Sequence, residues 1–176
     1  YNILSKRFKD YDLVEDKLPT NAEGTMQVDV IEVKYYYIKK SEVKVEYVDS
    51  VTKEKLSDDI VIQGHEGEEY TTSRKEFEGY DLIGIPENAE GKIEKDKITV
   101  TYSYIHKAKV IEKHIDVNSE ELLENHEYNG HEGEDYTTSR KEFEGYDIVE
   151  KMLPNNARGK MTRKDIDVKY YYIKKY

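Results

Sequence analysis

Two copies of a segment that combines one histidine with several carboxylate side chains are the part of this sequence best suited to chemistry. Residues 65–81 read HEGEEYTTSRKEFEGYD and residues 131–147 read HEGEDYTTSRKEFEGYD, so they differ only at Glu69 and Asp135. Each copy opens with a histidine that is followed by three acidic residues. Imidazole nitrogens and clustered carboxylate oxygens are ligands for metal ions, and calcium prefers the latter.

The spacing of these residues argues against a metal site. It matches no known calcium-binding loop, and His65 and His131 could share a metal only if their separate modules met. Charged residues of this kind usually lie on the surface. We therefore interpret both segments as solvent-exposed turns, and we predict no metal and no cofactor.

The sequence also lacks the residue patterns that are typical of enzyme active sites. Ser73 and Ser139 have no neighbouring His-Asp pattern, there is no glycine-rich phosphate loop, and the absence of cysteine excludes disulfides and thiol chemistry. Paired acids that hydrolyse sugars need a cleft, which a small module rarely provides. The sequence therefore predicts that the chain is not an enzyme.

The net charge of the chain limits the classes of molecule that it is expected to bind. The chain has 176 residues and a formal net charge of −10, which repels phosphate backbones and anionic lipid headgroups. No apolar run is long enough to cross a bilayer. We expect no nucleic acid and no membrane insertion in this fragment, which we take to be internal to a longer protein because it begins with Tyr1.

The duplicated segment belongs to a longer internal repeat. A Pro-x-Asn-Ala-x-Gly motif occurs three times, at residues 19–24, 86–91 and 154–159. We place a partial first copy, containing only its C-terminal half, at residues 1–40, and full copies at residues 43–105 and 110–173.

The joints between the copies are short. Residues 39–42 and 106–109 contain neither glycine nor proline, so we predict stiff connectors and an elongated, beads-on-a-rod array. The truncated first copy should expose a sheet edge, which predicts that it pairs either with strands upstream in the same protein or with another chain.

Each full copy is predicted to be a small α+β domain with the order ββαββ. Residues 43–49 and 98–105 alternate apolar and polar side chains, as half-buried strands do, and residues 60–62 predict a further strand. Residues 71–79 predict a short helix that ends at Gly79 in the left-handed conformation. Asp10, which replaces this glycine in the first copy, tolerates that conformation.

The last strand of each copy predicts both core and surface residues. Its inward face should carry Ile98, Val100, Tyr102 and Tyr104 in the second copy, with matching residues in the others. Its outward face should carry Tyr36 and Ile38 in the first copy, and Tyr171 and Ile173 in the third. An exposed aromatic ring can stack on a sugar or pack against a neighbouring module, and both alternatives stay open.

Arg74 and Arg140 occupy the same place in two identical Arg-Lys-Glu stretches. These stretches could form a shared contact surface. The alternative, which we favour, is solvated surface that has not diverged since a duplication.

Five motifs occur in a fixed order in the second copy and together resemble the MucBP (mucin-binding protein) repeat. They are residues 45–49 (VEYVD), 64–72 (GHEGEEYTT), 79–82 (GYDL), 86–91 (PENAEG) and 100–104 (VTYSY). The resemblance implies a ubiquitin-like β-grasp fold and an extracellular place on wall-anchored surface proteins of Gram-positive bacteria. The third copy departs from this repeat pattern at its start, where His114 takes the place of Tyr47. We therefore predict a poorer strand at residues 113–116.

Three functions remain open. The first is an adhesin repeat that contacts host mucin glycan or glycoprotein, and the second is a structural stalk that presents a distal binding domain. The third is a protein-binding module, for immunoglobulin for example, that uses an open sheet edge.

Overall fold

The computed structural model describes residues 1–176, and nearly all of its regular secondary structure is β-strand. The strands are β1 (Tyr11–Leu13), β2 (Tyr37–Asp49), β3 (Ile60–His65), β4 (Glu69–Thr71), β5 (Tyr80–Leu82), β6 (Glu90–Lys92), β7 (Ile98–Asp116), β8 (Leu122–His131), β9 (Asp135–Thr137), β10 (Tyr146–Ile148), β11 (Arg158–Lys160) and β12 (Ile166–Lys174). The only helical elements are two 3₁₀ turns, Glu15–Lys17 and Glu150–Met152. Neither has the length or hydropathy that a bilayer-crossing helix requires.

The chain forms two compact units. The first contains residues 1–48, 53–75 and 84–103, and the second contains residues 49–52, 76–83 and 104–176.

In the first unit, β2 pairs antiparallel with β1 and with β3. The strands β4 and β6 of the same unit form a separate two-stranded antiparallel sheet, in which Tyr70 is paired with Gly91.

In the second unit, residues 104–116 of β7 form the central strand. It pairs antiparallel with β8 and parallel with β12, and β12 pairs antiparallel with β10. The short strand β5 pairs with residues 104–106 of β7, and β9 pairs with β11 in a small separate sheet.

Both predicted joints lie inside strands. Residues 39–42 belong to β2, and residues 106–109 belong to β7. The strand β7 therefore closes the second copy and also opens the third.

The predicted core of the last strands is confirmed. Val100, Tyr102 and Tyr104 are at most 1% exposed, and Ile98 is half-buried. The matching residues Val168, Tyr170 and Tyr172 are buried in the third copy. In the first copy the corresponding side chains are only half-buried. Alternation along a strand sends every second side chain to the same face, which is why this pattern could be read from the sequence.

The predicted α+β class, with its ββαββ order and β-grasp helix, is wrong. Residues 71–79 form the end of β4, an irregular segment over residues 72–77 and a turn at residues 78–79, not a helix. The Thr72 N–H and hydroxyl both donate to the Ala89 carbonyl, and the Ser73 carbonyl accepts a hydrogen bond from the Tyr47 hydroxyl. Because these groups bond to distant segments, they do not enter the i to i−4 ladder of a helix.

The left-handed residue of this segment was predicted correctly even though the helix was not. Gly79 has a φ of +79°, and Asp10 has a φ of +64° at the same place in the first copy. Both lie just before a short strand, where the chain must reverse direction. The glycine thus serves a turn and not a helix end.

The third copy begins with a full strand, so the prediction of a poorer one at residues 113–116 is wrong. These residues pair with both β8 and β12, and His114 is completely buried. Its ring lies parallel to the ring of Tyr170, with centroids 5.3 Å apart. In the second copy Tyr47 stacks on Tyr102 in the same way, at 5.5 Å.

Candidate functional site

The outward-facing tyrosines lie where the strand pattern places them. Tyr36 is 51% exposed, and the ammonium group of Lys17 lies over its ring at 6.0 Å. Tyr171 is half-buried and lines a surface groove of about 510 Å³ together with Pro154, Asn155 and Lys169. The groove therefore combines one aromatic face with polar groups.

The Pro-x-Asn-Ala-x-Gly turn forms one wall of this groove, and its asparagine holds the turn in place. The Asn156 side-chain amide donates to the Asp167 carbonyl of β12 at 3.0 Å. Asn21 and Asn88 make the equivalent bonds, to Glu32 and Thr99, in the other copies. The asparagine of the motif is thus a structural residue that fixes the turn to the last strand.

The other predicted surface residues do not join the tyrosines in one site. Ile38 is half-buried and Ile173 is 44% exposed. Arg74 is exposed and lines a cavity of about 580 Å³ in the first unit. Arg140 lines a different cavity, of about 530 Å³, in the second unit, where its Nη1 donates to Glu150 at 2.7 Å. The six residues therefore belong to several separate surfaces.

The two histidine turns form contacts that the sequence analysis missed. His65 Nε2 lies 2.6 Å from Asp12 Oδ2, and His65 Nδ1 lies 2.8 Å from Glu68 Oε1. The imidazole is thus held between two carboxylates, one from its own turn and one from β1. With its side chain 28% exposed, His65 is more than the exposed turn residue that we predicted.

The second histidine turn repeats this geometry within the second unit. His131 Nε2 lies 2.7 Å from Asp81 Oδ2 in β5, and His131 Nδ1 lies 2.9 Å from Glu134 Oε1. The distances in the two turns agree to within 0.1 Å.

Glycines shape both turns. Gly67 and Gly133 have φ values of +90° and +89°, which allow the Glu68 and Glu134 N–H groups to fold back onto the carbonyls of His65 and His131. The same turn places the glutamate side chain beside Nδ1 of the histidine. The local sequence His-Glu-Gly-Glu therefore builds half of each site.

In each cluster the histidine and its two carboxyl partners shift one another's pKa. Hydrogen bonds to Asp12 and Glu68 raise the pKa of His65 above its usual value, and the hydrogen bond from His65 lowers the pKa of both carboxyl groups. In the second turn, Asp81 and then Glu134 raise the pKa of His131. Each cluster favours a protonated imidazole between two ionised carboxylates.

Comparison with known proteins decides the family. The sequence profile of the MucBP domain matches residues 1–38, 42–105 and 109–173. The chain belongs to the MucBP domain family. The resemblance noted from the five motifs is thus confirmed.

Two curated proteins are similar to this chain over nearly its whole length. Internalin J of Listeria monocytogenes serotype 4b (strain F2365) is 33% identical over 183 residues, which cover 99% of this chain and 19% of that protein. Internalin J of serovar 1/2a (strain EGD-e) is also 33% identical, over 21% of its length. The chain therefore spans about a fifth of the length of these relatives.

Solved structures add little. A crystal structure of Mub-RV is 15% identical, with a TM-score of 0.26, over 77% of this chain and 99% of that one. The type 2 repeat of the mucus binding protein MUB from Lactobacillus reuteri is 15% identical, with a TM-score of 0.27, over 76% and 99%. At these TM-scores we base no argument on either structure.

A signal for the histidine clusters was present in the MucBP copies. The aspartate recurs in the Tyr-Asp pair that opens β1, β5 and β10, at Asp12, Asp81 and Asp147. The histidine recurs five residues before the tyrosines of β4 and β9. Each pattern was visible, but only the register of the strands shows that one aspartate faces the histidine of the following copy.

Proposed function

We propose that this MucBP region is the repeat part of a bacterial surface adhesin, and that its outward-facing tyrosines contact host mucin glycan or glycoprotein. The protein would then act outside the cell, on the bacterial surface. The observation that carries the proposal is the groove at Tyr171, which combines an aromatic ring with polar neighbours.

The composition of the groove suits a sugar. A sugar ring has an apolar face that stacks on an aromatic side chain, and hydroxyl groups that bond to amides, carboxylates and ammonium groups. Asn155, Asp167 and Lys169 line the groove beside Tyr171 and supply all three. In the second copy Ser103 replaces this tyrosine, so the first and third copies should bind more strongly than the second.

The same groove supports binding over hydrolysis. Asp167 is the only carboxylate among the residues that line it. Glycoside hydrolysis generally needs two carboxyl groups on either side of the scissile bond. We therefore propose a binding function and no catalytic step.

The experiment measures binding of the whole chain to immobilised mucin and to a glycan array. Tyr36→Ser and Tyr171→Ser introduce the residue that the second copy already has, and together they should abolish most of the binding. Tyr176→Ser removes a fully exposed tyrosine that lies beyond the end of β12, and it is the matched control, which should bind like the wild type. Equal binding by all variants would overturn the role of the two tyrosines, and no binding by the wild type would overturn the adhesin proposal.

A stalk is the second candidate, and the joints favour it. Both joints are parts of strands, and β7 continues from the second copy into the third. A stalk needs such stiff connections and no ligand. Small-angle scattering tests it, because a stalk requires an extended particle and a compact one would contradict it.

A further inference from the structure

Each histidine turn places a carboxylate oxygen within 2.6 to 2.9 Å of both ring nitrogens. An ionised carboxylate only accepts hydrogen bonds, and a neutral imidazole carries a single N–H. Both bonds can therefore form together only when the ring carries two protons. The geometry of His65 and His131 is that of an imidazolium ion.

The two carboxylates around each ring come from different copies. Glu68 belongs to the same copy as His65, whereas Asp12 belongs to the copy before it. In the second turn Glu134 accompanies His131, and Asp81 belongs to the preceding copy. The bond to the aspartate is therefore a contact between successive copies, and it occurs once in each compact unit.

We propose that the His-Glu-Gly-Glu turn of a MucBP copy is a docking surface for the aspartate of the copy before it, and that the contact requires a protonated histidine. The partner is a neighbouring repeat that presents an aspartate at the start of its short edge strand.

The aspartate is presented in the same way at both contacts. Backbone bonds of 2.8 Å, from Lys40 to Asp10 and from Lys107 to Gly79, fix the start of the short strand that carries it. At the second contact the Glu132 N–H also donates to the His106 carbonyl, at 2.9 Å, so the backbones of two copies meet directly beside the histidine.

Other charged groups also lie at these contacts: a lysine beside each aspartate and, next to His131, Glu132 with its ion-pair partner Arg163. Lys40 Nζ lies 3.5 Å from Asp12 Oδ1, and Lys107 Nζ lies 3.7 Å from Asp81 Oδ1. Each aspartate thus keeps a cation when the histidine loses its proton. We therefore expect deprotonation to weaken the docking contact without opening the fold.

The direction of the pH dependence follows from the linked pKa values. The raised histidine pKa gives stability that is complete below the unfolded value of about 6.5 and is lost as pH rises through the folded value. The lowered carboxyl pKa values give stability that is lost only in acid, as pH falls below about 4. Docking should be strongest between these limits.

The first experiment follows the histidine side-chain resonances of the whole chain by NMR during a pH titration. Asp81→Asn should lower the titration midpoint of His131 and leave that of His65 unchanged, and Asp12→Asn should do the reverse. Each contact is thus the control for the other. The proposal is overturned if His65 and His131 titrate at the free value of about 6.5 and neither substitution moves them.

The second experiment measures hydrogen exchange of the Glu132 amide at about pH 5.5 and about pH 8.5, on either side of the free histidine value. After correction for intrinsic rates, its protection should fall several-fold at the higher pH. His131→Gln should remove that difference, and His126→Gln, on the exposed part of β8, should retain it. Protection that is independent of pH in the wild type would contradict a protonation-dependent contact.

Discussion

Arg163 of the third copy donates a hydrogen bond to Asp49 of the second, with Nη2 2.5 Å from Oδ2. The guanidinium group also contacts Glu132 through Nε, at 3.0 Å. Asp49 is 1% exposed, and its Oδ1 accepts the N–H groups of Val51 and Thr52. A buried carboxylate must have its oxygens hydrogen-bonded, so the donors from Arg163, Val51 and Thr52 allow Asp49 to remain ionised inside the second unit.

Asp49 should make stability depend on acid pH. Burial alone would raise the pKa of its carboxyl group, but the hydrogen bonds from Thr52, Val51, Arg163 and Tyr80 outweigh this and lower the pKa to about 2. A lowered carboxyl pKa gives stability that is present above the unfolded value of about 3.9 and is lost as pH falls through the folded value. The difference between the unfolded and folded pKa corresponds to about 2.6 kcal/mol in total.

Urea unfolding at a series of pH values tests this prediction with Asp49→Asn. The gap in unfolding free energy between wild type and variant should shrink by about 2 kcal/mol as pH falls from about 5 to about 2. Asp58→Asn changes an exposed carboxyl group and is the control for the loss of one negative charge. A gap for Asp49→Asn that stays constant with pH would contradict the assigned pKa.

His114 and Glu112 form a buried ion pair in the third copy. His114 Nε2 lies 2.8 Å from Glu112 Oε1, and Nδ1 lies 2.9 Å from the Tyr172 hydroxyl. Because that hydroxyl donates its own proton to the Lys141 carbonyl, Nδ1 must be the donor. Burial would raise the pKa of Glu112, but hydrogen bonds from His114, then Tyr128 and the Ser139 N–H, lower it overall. The pair is therefore charged.

Replacement of the pair by its apolar counterparts should cost much less than its disruption. His114→Tyr alone leaves the buried Glu112 carboxylate without its cation and should lower the unfolding free energy by about 3 kcal/mol. The double change Glu112→Val with His114→Tyr reproduces Val45 and Tyr47 of the second copy, and should return to within about 1 kcal/mol of the wild type. Urea unfolding monitored by circular dichroism measures both. A double variant as unstable as the single one would show that the third copy cannot accept the core of the second.

The same comparison shows what the sequence could reveal about the fold. The buried faces of β7 and β12 follow from strict alternation, which is a local property of the chain. The segment at residues 71–79 has the local signals of a helix, yet Thr72 and Ser73 bond to residues far away in sequence. Long-range hydrogen bonds determine the structure of this segment, and such bonds cannot be predicted from a local sequence pattern.

The candidate sites divide in the same way. The exposure of Tyr36 could be predicted, because it depends only on which face of a strand a residue occupies. The contact of His131 with Asp81 could not, because it joins positions 50 residues apart, as 131 − 81 shows, and depends on how two strands are paired. The groove at Tyr171 likewise needs the turn at Asn156 to be placed against β12.

Gly79 should be needed for its backbone conformation. Its φ of +79° is unfavourable for a residue with a side chain, so Gly79→Ala should lower the unfolding free energy by about 1 kcal/mol. Gly84→Ala is the matched control, because a Cβ at Gly84 would meet no atom within 4 Å and its φ is not in the left-handed range. Thermal unfolding of the two variants gives the comparison. Equal melting temperatures would mean that the turn relaxes around the alanine.

The third copy presents its aspartate as the first two copies do. Asp147 lies 3.1 Å from Lys175, and the Lys175 N–H bonds to the Gly145 carbonyl at 2.8 Å, which matches the arrangement at Asp12 and Asp81. A chain extended after Tyr176 by a second copy of residues 109–173 should therefore dock its added histidine turn on Asp147. That histidine should titrate above the free value of about 6.5 by NMR, and Asp147→Asn should bring it back towards that value while His65 and His131 keep theirs. If Asp147→Asn leaves the titration midpoint of the added histidine unchanged, the docking contact is restricted to the two already present. The array could then not be extended by this interaction alone.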